Sequence, residues 1–393
     1  MTFPERFSNL PEYAFPRLRA LLGGITPAAE VLDMTIGEPK HPMPAFVAEL
    51  IAKHADEFAK YPPNDGAPEL RAAIAGWITR RYGVDLDPAT NIVPLNGTRE
   101  GLFNTLVALC PETKAGQKPY VLVPNPFYQV YAVAALAVAA EPYYVSALPE
   151  NAFLPDYAAL PPEVLDRTAV AYVCSPSNPQ GAVAHAEYLE NLIRLAEKHD
   201  FKIFADECYC EVYRDTPPPG AIEIAQRMGA DPERVVIFHS LSKRSNLPGL
   251  RSGFLASGPQ NMQRIKQLRA YSGAPLPLPL QRAATAVWQD EAHVEASRAL
   301  YQQKFTIADE VFKDLPGYMP PQAGFFLWLP VADGEAAVKK LFAETGVKTL
   351  PGAYLSRDTA EGNPGAGYIR VALVTKNIKE MQHGLIQLRD CLY

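Results

Sequence analysis

The stretch FHSLSKRSNLPGLRSG, residues 238–253, concentrates cations and hydroxyl groups directly after an apolar run. Its amine, Lys243, is flanked by Ser240 and Ser242, and Arg251 follows within the same stretch. Two hydroxyl groups and a guanidinium around an amine are suited to binding a phosphate beside a nucleophile. The alternative is an ordinary solvated loop, which this stretch taken alone does not exclude.

A carboxylate, Asp206, ends a second apolar run in the stretch KIFADECYCEVY, residues 202–213. A similar carboxylate binds magnesium in nucleoside triphosphatases, but that interpretation requires a G-x-x-x-x-G-K-[ST] loop, which the sequence lacks. A helix cap is the structural alternative. The amine and the hydroxyl groups downstream favour a functional carboxylate.

Backbone donors for an anion are offered by LNGTREGLFNTLVALC, residues 95–110. Asn96, Gly97 and Thr98 open a predicted helix with an apolar inner face. The free N–H groups and the dipole at a helix N-terminus bind phosphate. An ordinary helix cap remains the alternative for this segment alone.

Short β-like runs alternate with helical segments from about residue 90 to residue 260. The predicted strands are Tyr120–Val123, Tyr143–Val145, Ala169–Val173, Lys202–Ala205, Val235–Phe238 and Gly253–Ala256. This alternation predicts an α/β fold with a mostly parallel sheet covered by helices. Ligands of such sheets bind beyond the carboxyl ends of the strands, where Asn178, Asp206 and Lys243 follow successive strands.

The pattern changes from about residue 281, where a helix-prone stretch, Gln281 to Phe312, begins. Short strands near Gly324–Leu329 and Tyr368–Val374, with a helix at Gly334–Thr345 between them, predict a smaller α+β unit. We therefore expect an N-terminal arm over residues 1–40 that joins the small domain, a large domain over 41–280 and a small C-terminal domain over 281–393.

The composition narrows the classes of function. The 393 residues are 48% hydrophobic and carry a net charge of −6, which argues against a general nucleic-acid binder. The first residues lack a signal-peptide pattern, and the longest apolar run, Val130 to Ala140, is shorter than the ~20 residues that span a bilayer. The five cysteines form no C-x-x-C pair. We expect a cytoplasmic protein with no membrane span, no nucleic-acid partner and no metal site.

Several of these motifs together resemble one family. SLSKRSNLPGLRSG, SPSNPQG, ADECY, NGTREGL, YPPNDGAPELR and YIRVAL are similar to motifs of the fold-type I pyridoxal-phosphate aminotransferases of class I/II, in the family's order along nearly the whole chain. MTIGEPKHP, VPNPFYQVY and the R-S-N after the lysine most resemble N-succinyldiaminopimelate aminotransferases. The resemblance implies a large domain with a seven-stranded sheet, and a small domain.

The resemblance also implies roles for the residues around the predicted amine. Lys243 would bind the aldehyde of pyridoxal 5'-phosphate and later move a proton between the substrate and the cofactor. Asp206 would pair with the pyridine nitrogen and keep it protonated. Tyr209 and Asn178 would donate hydrogen bonds to the phenolic oxygen of the cofactor.

For the rest of the cofactor, the resemblance implies a stacking ring from Tyr128 and a set of phosphate contacts. Without the family, Tyr128 is equally consistent with a core tyrosine. Tyr61 would reach the phosphate of a neighbouring subunit, which implies a homodimer. The implied phosphate contacts of the chain's own site are Ser240, Ser242, Arg251 and the amides of Gly97 and Thr98.

For the substrate, the resemblance makes Arg370 the bidentate clamp on the α-carboxylate, with a backbone contact from Gly37. Asn178 would contribute to the same subsite. Lys40 and Arg99 adjoin motif residues and are our candidates for a remote carboxylate, although a solvated surface role is the alternative for each.

The predicted reaction transfers an amino group by a ping-pong mechanism between glutamate and a keto acid, N-succinyl-2-amino-6-oxopimelate in lysine and diaminopimelate biosynthesis. An aspartate, aromatic or broad-range aminotransferase, or a C–S lyase, is the alternative on the same fold. A non-catalytic regulator is a distant alternative, since the lysine is intact.

Overall fold

The computed structural model describes residues 4–8 and 10–393. Its strands are β1 (Leu32–Asp33), β2 (Ile92–Leu95), β3 (Tyr120–Asn125), β4 (Glu141–Ser146), β5 (Thr168–Cys174), β6 (Lys202–Asp206), β7 (Val235–Ser240), β8 (Gly253–Ala256), β9 (Phe326–Pro330), β10 (Val347–Lys348), β11 (Leu350–Pro351) and β12 (Tyr368–Ala372).

The α-helices of the same residues are α1 (Ala14–Leu22), α2 (Phe46–Lys53), α3 (Pro68–Tyr82), α4 (Thr98–Leu109), α5 (Val130–Ala137), α6 (Pro162–Arg167), α7 (Ala186–Lys198), α8 (Ala221–Met228), α9 (Leu241–Arg244), α10 (Pro259–Ser272), α11 (Leu278–Gln289), α12 (Ala292–Phe312), α13 (Gly334–Thr345) and α14 (Ile378–Leu392). Within the described ranges, no helix combines the length and apolar character needed to cross a membrane.

A seven-stranded sheet in the order β2-β8-β7-β6-β5-β3-β4 forms the centre of the fold. The pairs from β7 through β4 are parallel, and β8 runs antiparallel to both of its neighbours. Successive side chains of β6 enter different cores, because Ile203 and Ala205 pack on one face and Phe204 on the other. The predicted fold class, a mostly parallel sheet with helices on both faces, is confirmed.

A second, three-stranded sheet in the order β11-β12-β9 is antiparallel and has its own hydrophobic core. The N-terminal segment packs here, because Leu18 and Leu22 of α1 belong to this core and β1 pairs with β10. The predicted domain boundaries remain a proposal. Residue 280 lies inside α11, whose Ala283 and Trp288 pack in the core of the large sheet, and we therefore propose that the large domain extends through α11.

Candidate active site

A cavity of about 400 Å³ lies between the carboxyl ends of the central strands, the N-terminal segment and the second sheet. This position is the one expected for a ligand of a parallel α/β sheet, and the volume is within the usual range for small-molecule sites, roughly 300–1,000 Å³. The predicted site residues that line the cavity are Gly37, Thr98, Arg99, Tyr128, Asn178, Asp206, Tyr209, Ser240, Ser242, Lys243, Arg251 and Arg370.

The amine of Lys243 projects from α9, the short helix that follows β7. Its Nζ donates a hydrogen bond to the backbone oxygen of Gly37 and lies 5.8 Å from the ring of Tyr209 and 5.5 Å from that of Phe325. Burial among these groups lowers the pKa of Lys243 to about 8. The amine is therefore more readily neutral, and more nucleophilic, than an exposed lysine.

Asp206, the last residue of β6, is buried at the floor of the cavity. Its Oδ2 accepts a hydrogen bond of 2.7 Å from the hydroxyl of Tyr131, and its Oδ1 accepts one of 3.3 Å from the backbone N–H of Cys208. Burial raises the pKa of Asp206, and the hydrogen bond from Tyr131 lowers it in part. A carboxylate held this way is suited to pairing with a cationic nitrogen in the cavity.

An anion-binding corner lies where β7 and the start of α4 meet. Ser240 Oγ accepts from the backbone N–H of Ser242 at 3.1 Å, and the two hydroxyls lie 2.9 Å apart. Gly97 has φ +85°, and a Cβ at this position would overlap the guanidinium of Arg251. Glycine at 97 therefore lets Arg251 lie against the N-terminus of α4, which begins at Thr98.

Arg370, on β12, is buried and faces the cavity from the second sheet. Its Nη1 donates to Oδ1 of Asn178 at 3.0 Å, and its Nη2 donates to the backbone oxygen of Thr35 at 2.7 Å. The guanidinium lies 4.3 Å from the ring centre of Phe326. Burial lowers the pKa of Arg370 to about 10, so the guanidinium remains charged at neutral pH.

A further arginine, Arg99, lies at the mouth of the cavity. Arg99 is exposed, and its Nε donates a 2.6 Å hydrogen bond to the hydroxyl of Tyr128. Interaction with Tyr128 raises the pKa of Arg99. Tyr128 lies edge-on to Tyr131 with ring centres 5.8 Å apart, so it covers the side of the cavity above the floor.

Three predicted site residues do not line this cavity. Gly97 lies behind Arg251, a residue of the cavity wall, and leaves room for its guanidinium. Lys40 is exposed and does not line the cavity of its own chain, so its contact with the substrate stays a prediction. Tyr61 is fully exposed, at 101% of its reference area.

Comparisons with known proteins agree with this geometry. Residues 29–385 match the family model of aminotransferase class I and II. The chain belongs to the class I and II aminotransferases. As members of that family do, it depends on pyridoxal 5'-phosphate. The family and the aminotransferases among its relatives make it a transaminase.

Curated relatives of this aminotransferase are similar along their whole length. The LL-diaminopimelate aminotransferase 2 of Trichormus variabilis is 31% identical over 98% of this chain and 97% of its own length. The LL-diaminopimelate aminotransferase of Desulforudis audaxviator is 32% identical over 100% of this chain and 99% of its own.

Solved structures show the same fold. An aminotransferase from Neisseria meningitidis Z2491 superimposes with a TM-score of 0.94 at 36% identity and covers 100% of both chains. The aminotransferase AspB of Helicobacter pylori 26695 superimposes with a TM-score of 0.90 at 35% identity and covers 99% of both chains.

The side chains of this aminotransferase fit the cofactor. The buried carboxylate of Asp206 matches the pyridine nitrogen of the cofactor, and the Lys243 amine of lowered pKa matches its aldehyde. The anion-binding corner matches its phosphate. In addition, Nε of the buried Arg370 has no hydrogen-bond partner among the described residues, which leaves a donor for a carboxylate. We infer that Asp206, Lys243 and the anion corner hold the cofactor, and that Arg370 faces the substrate.

Some contacts were not predicted from the sequence. Tyr131 lies in α5, where the run VYAVAALA gives only the signal of a buried helix. Thr35 contributes a backbone oxygen, which no side-chain pattern reveals. Cys208 lies in the cavity wall, with its Sγ 3.3 Å from Oγ1 of Thr98, and a single cysteine outside a C-x-x-C pair gives no signal of such a position.

Replacing Tyr131 by phenylalanine should weaken cofactor binding and lower kcat/KM by about tenfold, since hydrogen bonds to charged groups contribute about 1.5–3 kcal/mol. Burial raises the pKa of Tyr131 well above its usual value, so its hydroxyl donates to Asp206 throughout the neutral range. The measurements are the dissociation constant of pyridoxal phosphate and steady-state kinetics.

Tyr172→Phe is the matched control for this substitution. The Tyr172 ring stacks on Tyr131 at 4.4 Å, but its hydroxyl donates to the backbone oxygen of Leu102 rather than to Asp206. We expect normal cofactor affinity from this variant. Equal losses in both variants would show that Tyr131 serves packing alone.

Proposed function

We propose that this aminotransferase transfers an amino group between glutamate and a long keto acid of the diaminopimelate series that carries a remote carboxylate. Of the three arginines that line the cavity, Arg251 belongs to the anion-binding corner. The other two carry the proposal, with Arg370 buried at the wall of the cavity and Arg99 at its mouth. A dicarboxylic amino acid presents two carboxylates, and a guanidinium is the side chain best suited to bind each of them.

The chain's own residues divide the work of the reaction. When bound, pyridoxal phosphate supplies a ring that withdraws electrons from the substrate Cα. Arg370 binds the α-carboxylate and orients the Cα, Asp206 holds a negative charge at the cavity floor, and Lys243 Nζ takes up the proton of the Cα. Phe326, packed against Arg370, covers this side of the site.

N-succinyl-2-amino-6-oxopimelate is our first candidate for the keto acid, on the sequence motifs around Gly37, Tyr128 and Lys243. The names of the curated relatives support a second candidate, the keto acid whose amination gives LL-diaminopimelate. Both keto acids carry a remote carboxylate. They differ in the remote nitrogen, which is a free cationic amine in the second candidate and a neutral amide in the first, where the succinyl group adds a further carboxylate.

A donor screen with 2-oxoglutarate as the acceptor and glutamate formation as the readout separates these substrates. We expect kcat/KM for N-succinyl-LL-diaminopimelate to exceed that for LL-diaminopimelate, aspartate and phenylalanine. A preference for LL-diaminopimelate would select the second candidate. A preference for aspartate or phenylalanine would contradict the proposal.

Replacing Arg99 by alanine should raise KM for glutamate by about tenfold or more and leave KM for alanine nearly unchanged, since hydrogen bonds to charged groups contribute about 1.5–3 kcal/mol. The reason is that only glutamate has a remote carboxylate for this guanidinium. Arg194→Ala is the matched control, because Arg194 is an exposed arginine outside the cavity wall. Equal effects of Arg99→Ala on both substrates would contradict the assignment.

We further propose that the enzyme is a homodimer with sites shared across the interface. Tyr61 is fully exposed in the single chain, and Phe58 and Tyr271 are exposed at 54% and 91%. Exposed aromatic side chains of this extent are typical of interaction surfaces. A second copy of the chain would cover them and bring Tyr61 to the neighbouring phosphate site. A cytoplasmic location likewise remains a prediction.

A further inference from the structure

Three polar or aromatic side chains line one buried face of α12 outside the cavity. Ser297, Tyr301 and Lys304 are spaced four and three residues apart, which places them on one side of a helix. All three are buried. None of them lines the cavity, but each contacts a residue that is close in sequence to a residue of the cavity wall.

Lys304 is the most unusual of the three, because it is 0% exposed. Its Nζ donates to the backbone oxygens of Leu373 at 3.0 Å and Thr375 at 2.8 Å. No carboxylate of the described residues pairs with it. Its Nζ also lies 5.1 Å from the ring centre of Tyr301. A buried ammonium without a carboxylate partner is costly, and the chemistry of the site does not use it directly.

The two carbonyl groups lie just beyond the end of β12, the strand that carries Arg370. The same strand end is tied to the N-terminal segment, because the N–H of Ala372 donates to the oxygen of Met34 at 2.8 Å. Arg370 itself donates to the oxygen of Thr35. A fixed end of β12 therefore holds the Arg370 guanidinium in place. It also holds residues 34 and 35, which lead to Gly37 in the cavity wall.

The other two side chains of this face act on neighbouring segments. Nδ2 of Asn246, in the loop after α9, donates to Oγ of Ser297 at 3.1 Å. The ring of Tyr301 lies 4.4 Å from that of His41 and 5.5 Å from that of Phe325. These three contacts support the loop after α9 and the segments around His41 and Phe325. The ring of Phe325 lies 5.5 Å from the Lys243 amine.

We propose that Lys304 is a positioning residue for the α-carboxylate clamp: its ammonium binds the carbonyl groups after β12 and thereby holds the Arg370 guanidinium in its binding orientation. The inference rests on the proposed function. Since Arg370 binds the α-carboxylate in ground state and transition state alike, loss of its orientation raises KM and leaves kcat nearly unchanged.

The test compares Lys304→Met with Lys114→Met in the holoenzyme. Lys114 is the matched control, because its Nζ also binds backbone oxygens, those of Thr168 at 2.7 Å and His199 at 2.9 Å. Thr168 begins β5, so these contacts lie at the amino ends of the parallel strands, away from the cavity. We expect Lys304→Met to raise KM by about tenfold or more, equally for glutamate and for alanine, since misaligned hydrogen bonds between the guanidinium and the α-carboxylate weaken binding by about that factor. Lys114→Met should leave KM unchanged.

Two readouts independent of turnover accompany the kinetics. The dissociation constant of glutarate, a dicarboxylate without an amino group, should rise in Lys304→Met by the same factor as KM. The visible absorbance band of the bound cofactor should keep its wavelength, because Lys304 contacts Leu373, Thr375 and Tyr301, none of which we assign to the cofactor.

An unchanged KM in Lys304→Met, or a fall of kcat at constant KM, would overturn the proposal. If Lys304→Met does not fold, Lys304→Leu, which also removes the donor, is judged by the same KM criterion. Wild-type turnover of glutamate is measured first. Its absence would refute the proposed function, whereas normal wild-type turnover with an unchanged variant KM would refute the role of Lys304 alone.

Discussion

The Lys243→Ala enzyme should lose transamination activity by at least about 10⁴-fold, the upper range for a positioned acid–base group. The amine lines the cavity and has a pKa lowered to about 8, so it can act both as the nucleophile and as the base. Alanine removes both functions. Steady-state rates with glutamate and 2-oxoglutarate measure the loss.

Lys202→Ala is the control for a general effect of removing a half-buried lysine. Lys202 is the first residue of β6, at the end of the strand away from the cavity. Its Nζ donates to the backbone oxygen of Glu233 at 3.2 Å. We expect it to keep wild-type activity. A Lys243→Ala enzyme that retained a tenth of the wild-type rate would contradict the assigned role.

The acidity of this amine also predicts a pH dependence. The neutral amine attacks an aldehyde, and its fraction rises with pH up to and beyond a pKa of about 8. The rate at which the cofactor-free enzyme takes up pyridoxal phosphate should therefore increase from pH 6 to about pH 8 and level off above it.

Asp206→Asn should lower kcat by about 10²–10⁴-fold, comparable to the loss of other groups that control protonation at a reacting centre. Asparagine keeps the shape of the side chain and can still accept the hydrogen bond from Tyr131. It lacks the negative charge that keeps a pyridine nitrogen protonated. Kinetics and the dissociation constant of the cofactor both report the change.

Glu207→Gln is the matched control for Asp206→Asn. Glu207 is the next residue, is equally buried, and lies 2.9 Å from His239 on the side away from the cavity. We expect a loss of stability without a comparable loss of kcat. A similar fall of kcat in both variants would show that buried charge near β6, rather than a contact with the cofactor, controls the rate.

The central strands were predictable because they are uniformly apolar and end at polar residues. Lys202–Ala205 and Gly253–Ala256 agree with β6 and β8 within one residue. β2 was not predicted, since it has four residues and contains Pro94. Proline is tolerated there because β2 is an edge strand that pairs only with β8.

The helical part of the C-terminal region was predicted as one stretch but forms two helices. α11 ends at Gln289, and Asp290 Oδ2 accepts a 3.2 Å hydrogen bond from the N–H of His293 in the first turn of α12. An aspartate in this position is a typical helix-start signal. The helical periodicity on both sides concealed it.

Site residues were predictable where a side chain of distinctive chemistry follows a strand, as with Asp206 and Lys243. Tyr131 and Lys304 could not be found this way. Each lies in a helix and acts on an element that is distant in sequence, Asp206 and the end of β12 respectively. Such contacts depend on the packing of helices on sheets, which a linear pattern does not contain.

Reduction of the holoenzyme with sodium borohydride, followed by peptide mass mapping, tests the central claim most directly. The proposed site predicts that the pyridoxyl phosphate mass is added to the peptide that contains Lys243, and to no other. Label on a different lysine, or a holoenzyme that releases all of its cofactor after reduction, would contradict it.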